Sequence, residues 1–123
     1  MKNGAYFDEE EFACPCCGRI PLLFKPLIEL LDDMSTHCGK KLKIVGGYRC
    51  ERHNSIIGAP EQNLYRTNPL MAAEIDATEL GVEALATVAE QFGADGVGRC
   101  HTKHSVQLDV RDGRVDGQQR WQD

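Results

Sequence analysis

The stretch Lys41–Asp76, KLKIVGGYRCERHNSIIGAPEQNLYRTNPLMAAEID, decides how this chain is read. Leu42-Lys43-Ile44-Val45 is a short apolar run with the alternation of a strand, and Gly46-Gly47 breaks it. Tyr48-Arg49-Cys50 follows where a strand end presents side chains to a cleft. After a loop carrying Gly58-Ala59-Pro60, Leu70–Asp76 is apolar and ends in two carboxylates, Glu74 and Asp76. A buried strand that terminates in carboxylates suits a metal ligand or a catalytic acid. It equally suits a core strand running out into solvent.

Outward from this stretch, the pattern predicts an α+β domain. Leu23, Leu27, Leu30, Leu31 and Met34 recur at three and four, which predicts an amphipathic helix from Pro21 to about His37. Pro26 sits in its first turn or kinks it, and Gly39 ends it. A second helix is expected over Val82–Phe92, stopped by Gly93. Gly96–Cys100 reads as a glycine-rich strand. In Ser105–Arg111 the residues Val106, Leu108 and Val110 share one face, leaving Gln107, Asp109 and Arg111 on the other. Asp112-Gly113 is a turn signal. Before all of these, Asp8 can cap a short acidic turn over Glu9–Glu11, with Phe7 and Phe12 packed inward. The expected plan is one domain over residues 1–123, two main helices packed on a small antiparallel sheet.

Size and charge narrow the classes of function. A chain of 123 residues with 41% hydrophobic content can bury a core of its own. Nineteen acidic against 14 basic residues give a net charge of −5, which leaves no basic stripe for nucleic acid. The most apolar stretch, around Leu22–Leu31, is interrupted by Lys25, Pro26 and Glu29, so no membrane span is expected. Without a hydrophobic signal region the chain is expected to remain cytoplasmic as synthesised, with a phage-type lysis system or a removed leader as its route out.

The six cysteines need a separate account. Cys14-Pro15-Cys16-Cys17 has the spacing of a thiolate knuckle, and Gly18 gives the tight turn that lets backbone amides face sulfur. A structural zinc would need further ligands, from Cys38, Cys50 or Cys100. Zinc, disulfides and buried free thiols all remain open on this pattern.

Several ordered motifs resemble the zinc D-alanyl-D-alanine carboxypeptidase family, which cuts peptidoglycan stem peptides and shares its fold with the hedgehog signalling domain. Gly46-Gly47-Tyr48-Arg49-Cys50, His53-Asn54 and Gly58-Ala59 stand where that family writes Ser-Gly-Tyr-Arg-Cys, His-Asn and Gly-Gly-Ala. Ala72-Ala73-Glu74-Ile75 falls in step with its Ser-x-His-x-x-Gly-x-Ala-x-Asp signature. Leu108-Asp109-Val110-Arg111 and Arg120-Trp121 match its closing strand, and Glu11-Phe12-x-Cys14-x-Cys16-Cys17-Gly18 looks like the opening of small phage and bacterial members.

The resemblance implies a hedgehog/DD-peptidase-like fold and a cleft in which Arg49 meets a substrate carboxylate or oxyanion and Asp109 orients its neighbours. It also implies three zinc-ligand slots, and counted along the chain these fall on Thr67, Glu74 and Gln107. Threonine and glutamine are weak zinc ligands, because protein zinc sites use thiolate, imidazole and carboxylate. The expectation is therefore a non-catalytic relative whose cleft binds a carboxylate-ended cell-wall peptide or a protein partner. One alternative is an active zinc peptidase with relocated ligands Glu74, His101 and His104. Another is a zinc-knuckle adaptor built on Cys14, Cys16, Cys17 and Cys50. Glu74 is expected to pair with Arg49, and His53-Asn54 to cap and orient its loop.

Overall fold

A computed structural model describes residues 2–3, 6–58, 63–66, 69–111 and 119–122. Thr67, the Ala59-Pro60 pair and the Asp112-Gly113 turn lie outside the described residues. The chain forms β1 (Lys2–Asn3), β2 (Phe7–Asp8), a 3-10 turn (Glu9–Phe12), α1 (Lys25–Cys38), β3 (Ile44–Gly46), α2 (Glu51–Ile56), β4 (Ala72–Asp76), α3 (Val82–Gln91), β5 (Gly96–Cys100), β6 (Ser105–Asp109) and β7 (Gln119–Gln122). β1 and β2 pair separately. The other five strands make one sheet in the order β3-β4-β6-β5-β7. No helix among the described residues is long and apolar enough to cross a membrane.

Strand alternation divides the sheet as expected. Ala73, Ile75, Val97, Val106 and Leu108 are buried in the core beneath α1 and α3, and Val110 packs partly against it. α1 contributes Leu27, Ile28, Leu30, Leu31 and Met34, and α3 contributes Val82, Leu85, Ala86 and Ala89. Phe7 and Phe12 are fully buried at the sheet's amino-terminal margin. The acidic turn is tied down by the Asp8 amide, which donates to Glu11 Oε2 at 2.8 Å.

Three details differ from the pattern-based expectation. α1 starts at Lys25, not Pro21, because residues 22–24 bond across to Leu70: Leu70 N–H donates to the Leu22 carbonyl at 2.8 Å and Phe24 N–H to the Leu70 carbonyl at 3.1 Å. Pro26 then lies at the helix start, where its missing N–H costs nothing. Residues 51–56, expected as loop, form α2 with the Cys50 thiol as its cap. The antiparallel sheet acquires a parallel edge, since β7 runs alongside β5 in the same direction. Alternation states which residues share a face and says nothing about the direction of the neighbouring strand.

Candidate functional site

The face of the sheet turned away from α1 and α3 carries the polar residues. One row of paired residues crosses all five strands: Gly46, Glu74, Gln107, Gly98 and Trp121. The next row contains Ala72, Asp109, Gly96 and Gln119. Two of the glycines make room for their neighbours. A Cβ on Gly96 would lie 2.3 Å from Asp109 Oδ2, and one on Gly98 would lie 2.2 Å from the Trp121 indole nitrogen. No real side chain approaches so closely, so the Asp109 carboxylate and the Trp121 ring lie flat over a bare backbone.

Arg49 stands at the junction of two hollows on this face. A cavity of about 260 Å³ is lined by Arg49, Glu74, Gly46, Tyr48, His53 and Lys103. A second, of about 360 Å³, is lined by Arg49, Tyr65, Gln107, Asp109, Arg111 and Trp121. The Arg49 guanidinium carbon sits 3.9 Å above the Tyr65 ring centre, and the Arg49 amide donates to the Tyr65 carbonyl at 2.8 Å. This is a cation–π stack, worth more where water is excluded. Among the described residues no carboxylate pairs with Arg49.

Tyr65 is the residue that counting along the chain missed. Its side chain is 8% exposed, and its buried Oη has no hydrogen-bond partner among the described residues. Burial, with the Glu74 charge adding to it, pushes the phenol far above its ordinary value, so it stays a neutral O–H donor. Its loop is held from α2: Asn63 Nδ2 donates to Asn54 Oδ1 at 2.7 Å, and the Tyr65 amide donates to Asn63 Oδ1 at 2.9 Å. Asn54 is itself buried. The loop-orienting task expected of His53-Asn54 falls to the asparagine, while His53 lines the smaller cavity. A signal for Tyr65 was present. Asn63-x-Tyr65 copies the shape of Ser-x-His if two extra residues precede Ala72, an offset that a fixed count of seven cannot accommodate.

The carboxylates of the cleft are engaged by the protein. Glu74 is buried and accepts from Ser105 Oγ at 2.5 Å, so the expected Glu74–Arg49 pair does not form. Asp109 is buried and accepts from Arg111 Nε at 3.1 Å. Burial raises the Asp109 carboxyl and the Arg111 charge opposes the rise, with a net upward displacement. Gln107 lies opposite Glu74 and is half-buried. Glu74 and Gln107 thus share the cleft face, whereas Thr67 lies outside the described residues.

Glu74, His101 and His104 do not converge. His101 turns to Glu83 of α3, Nε2 to Oε2 at 3.2 Å. His104 sits exposed in the β5–β6 turn at φ 52°, its carbonyl held by the Ala77 amide at 2.8 Å. The strand residue paired with Glu74 is Gln107, three residues further on, or about 10 Å along the strand.

A different trio converges on the amino-terminal side. The sulfurs of Cys14, Cys17 and Cys50 all lie within 4.8 Å of one another and could hold a metal ion. Cys14 is buried, Cys50 half-buried and Cys17 exposed. Burial opposes ionisation of Cys14, but the backbone amides of Cys50, Cys17 and Cys16 more than offset it and bring the thiol down to about 7. Cys38 and Cys100 are not in this group.

The family model described as Peptidase M15 matches residues 5–109. No curated protein matches the chain.

Proposed function

The chain belongs to the peptidase M15 family, and from that premise we propose that it is a non-catalytic member whose cleft binds the carboxylate end of a peptide of the cell-wall type. The observation that carries this reading is the Arg49–Tyr65 pair: a guanidinium without a carboxylate partner among the described residues, stacked on a phenol whose O–H is buried and unsatisfied. A buried donor left unpaired costs about 1–3 kcal/mol, so its natural complement is an acceptor brought by a ligand. A peptide carboxylate is such an acceptor. It can take two parallel bonds from the arginine while the phenol donates a third.

The donor set of the cleft does not fit the zinc that the family implies. A catalytic zinc takes three protein ligands and leaves one position open. Here Glu74 is bonded to Ser105 and Asp109 to Arg111, Tyr65 stays protonated, and Gln107 offers a neutral amide. Among the described residues no three histidine, cysteine or acidic groups of the cleft come together.

Calorimetric titration with an acyl-D-alanyl-D-alanine peptide, beside the same peptide with an amidated end, tests this reading. The free acid should bind, and the amide should bind at least about tenfold more weakly, a difference of about 1.4 kcal/mol. Arg49→Ala should abolish the preference. Equal affinity for acid and amide overturns carboxylate recognition. Zinc-dependent cleavage that disappears in His101→Ala or His104→Ala overturns the non-catalytic part in favour of relocated ligands.

A further inference from the structure

The cysteine trio lies beyond this cleft, and its geometry carries an inference of its own. Cys14 opens a tight turn in which the Gly18 amide donates to the Cys14 carbonyl at 2.7 Å, and the Cys14 amide donates to the Arg19 carbonyl at 2.9 Å. Gly18 takes φ 75°, which an L side chain rarely adopts. The turn places Cys17 back over Cys14, and Cys50 arrives from 36 residues away as the cap of α2. Two backbone amides point at these sulfurs: Cys50 N–H at Cys14 Sγ and His53 N–H at Cys50 Sγ, each at 3.4 Å. Amide donors aimed at sulfur favour thiolates over thiols, and outer donors of this kind orient metal ligands.

We infer that Cys14, Cys17 and Cys50, completed by Cys16, hold one structural zinc ion. Zinc–thiolate bonds of about 2.3 Å at tetrahedral angles place sulfurs about 3.8 Å apart. The trio, already within 4.8 Å, needs only to draw in by up to about an ångström. The Cys16 thiol adjoins that of Cys50 and is exposed, so a change of rotamer brings it to the fourth vertex. A disulfide uses two of these sulfurs and leaves the others crowded beside it. A single zinc ion uses all four.

The ion would fasten the amino-terminal segment to the start of α2. That junction is already close: Tyr48 N–H donates to the Phe12 carbonyl at 2.8 Å, and a Cβ on Gly47 would meet the Phe12 backbone at 2.6 Å. Arg49 lies between this anchor and Cys50. A zinc at the cysteines therefore acts as a positioning element for the guanidinium of the cleft, although the ion itself stands on sulfur geometry and not on the peptide-binding reading.

The test is metal analysis of the full chain purified in the presence of reductant and without chelator. One zinc per chain is expected, replaceable by cobalt with the absorption bands of a tetrahedral thiolate site. Cys17→Ser and Cys50→Ser should each lose stoichiometric zinc, while Cys38→Ser, Cys100→Ser and Glu74→Gln should keep it. If Cys50→Ser does not fold, the exposed Cys16→Ser and Cys17→Ser carry the test, with a far-ultraviolet spectrum to show that they fold. Zinc-free protein overturns the inference, as does zinc that survives Cys17→Ser or is lost in Glu74→Gln. An intact mass two hydrogens low before reduction, with no metal, assigns a disulfide and also overturns it. Peptide titration of the same samples separates failure here from failure of the cleft reading, since carboxylate preference does not require the metal count to be one.

Discussion

The two faces of β6 are built from alternate residues of one five-residue strand, and they have opposite chemistry. On one face Val106 and Leu108 are sealed into the core beneath the helices. On the other Ser105, Gln107 and Asp109 meet Glu74, Arg111 and a floor of bare glycine backbone. The core face is filled by protein. The cleft face keeps hollows, a stacked arginine and a phenol whose O–H meets no acceptor among the described residues. Stability and recognition are thus assigned to neighbouring positions about 3.3 Å apart along the chain, and substitutions at adjacent residues should fall into separate classes.

The largest effect belongs to the core face. Leu108→Ala should cost about 2–5 kcal/mol, because Leu108 is 1% exposed and its removal leaves a cavity under the sheet. Gln107→Ala, one residue away and half-buried over the cleft, should stay within about 0.5 kcal/mol of the parent chain. Urea unfolding of the two variants measures both. Similar losses would mean that the cleft face is packed like the core and that the division of faces is wrong.

How much of this division was legible follows from what kind of information each part needs. The faces of β6 and β4 were readable because period-two alternation is local: Val106 and Leu108 against Gln107 and Asp109. The body of α1 was readable for the same reason at period 3.6. Its first turn was not, since the extended Leu22–Phe24 is held by Leu70, a partner more than forty residues away. α2 escaped because a six-residue helix capped by a cysteine thiol has none of the usual starting residues. Arg49 and Glu74 were legible as cleft residues, but their partners were not. Arg49 was expected on a carboxylate and stacks on Tyr65, and Glu74 turns to Ser105. Tyr65 was hidden by a two-residue offset that only the folded loop, held by Asn54 and Asn63, makes plain.

Tyr65→Phe sharpens the comparison at intermediate size. Removing a buried O–H that has no partner among the described residues should leave the fold as stable or raise it by about 1 kcal/mol, the reverse of the usual sign for a buried polar deletion. The same substitution should weaken binding of a free-acid D-alanyl-D-alanine peptide while leaving its amide unaffected. A clear loss of stability would mean that the phenol is satisfied within the protein, and Arg49 alone would then be left to meet a carboxylate.

The smallest expected effect is the pH response of Asp109. Burial displaces its carboxyl upward from the ordinary 3.8, with Arg111 pulling back and the Asp95 charge adding to the rise. A folded-state value above the unfolded one means that the native protein binds the proton more tightly between the two. Stability should therefore fall as pH rises from the ordinary value through the raised one, and the penalty persists at neutral pH. This is the opposite sign to that of a carboxylate stabilised by a strong ion pair. Asp76 supplies that opposite case, since the hydroxyl of Thr78 outweighs desolvation and holds its carboxyl below the ordinary value. Asp109→Asn should flatten the decline on the acid side, with the Asp76 contribution left in place. Denaturant midpoints measured from pH 4 to pH 7 for the parent chain and Asp109→Asn provide the comparison. If the parent loses stability toward acid over that window and Asp109→Asn removes the loss, then Arg111 dominates over burial. Asp109 would then be an ionised carboxylate paired with Arg111, and burial would impose no net penalty on the charge it carries in the cleft.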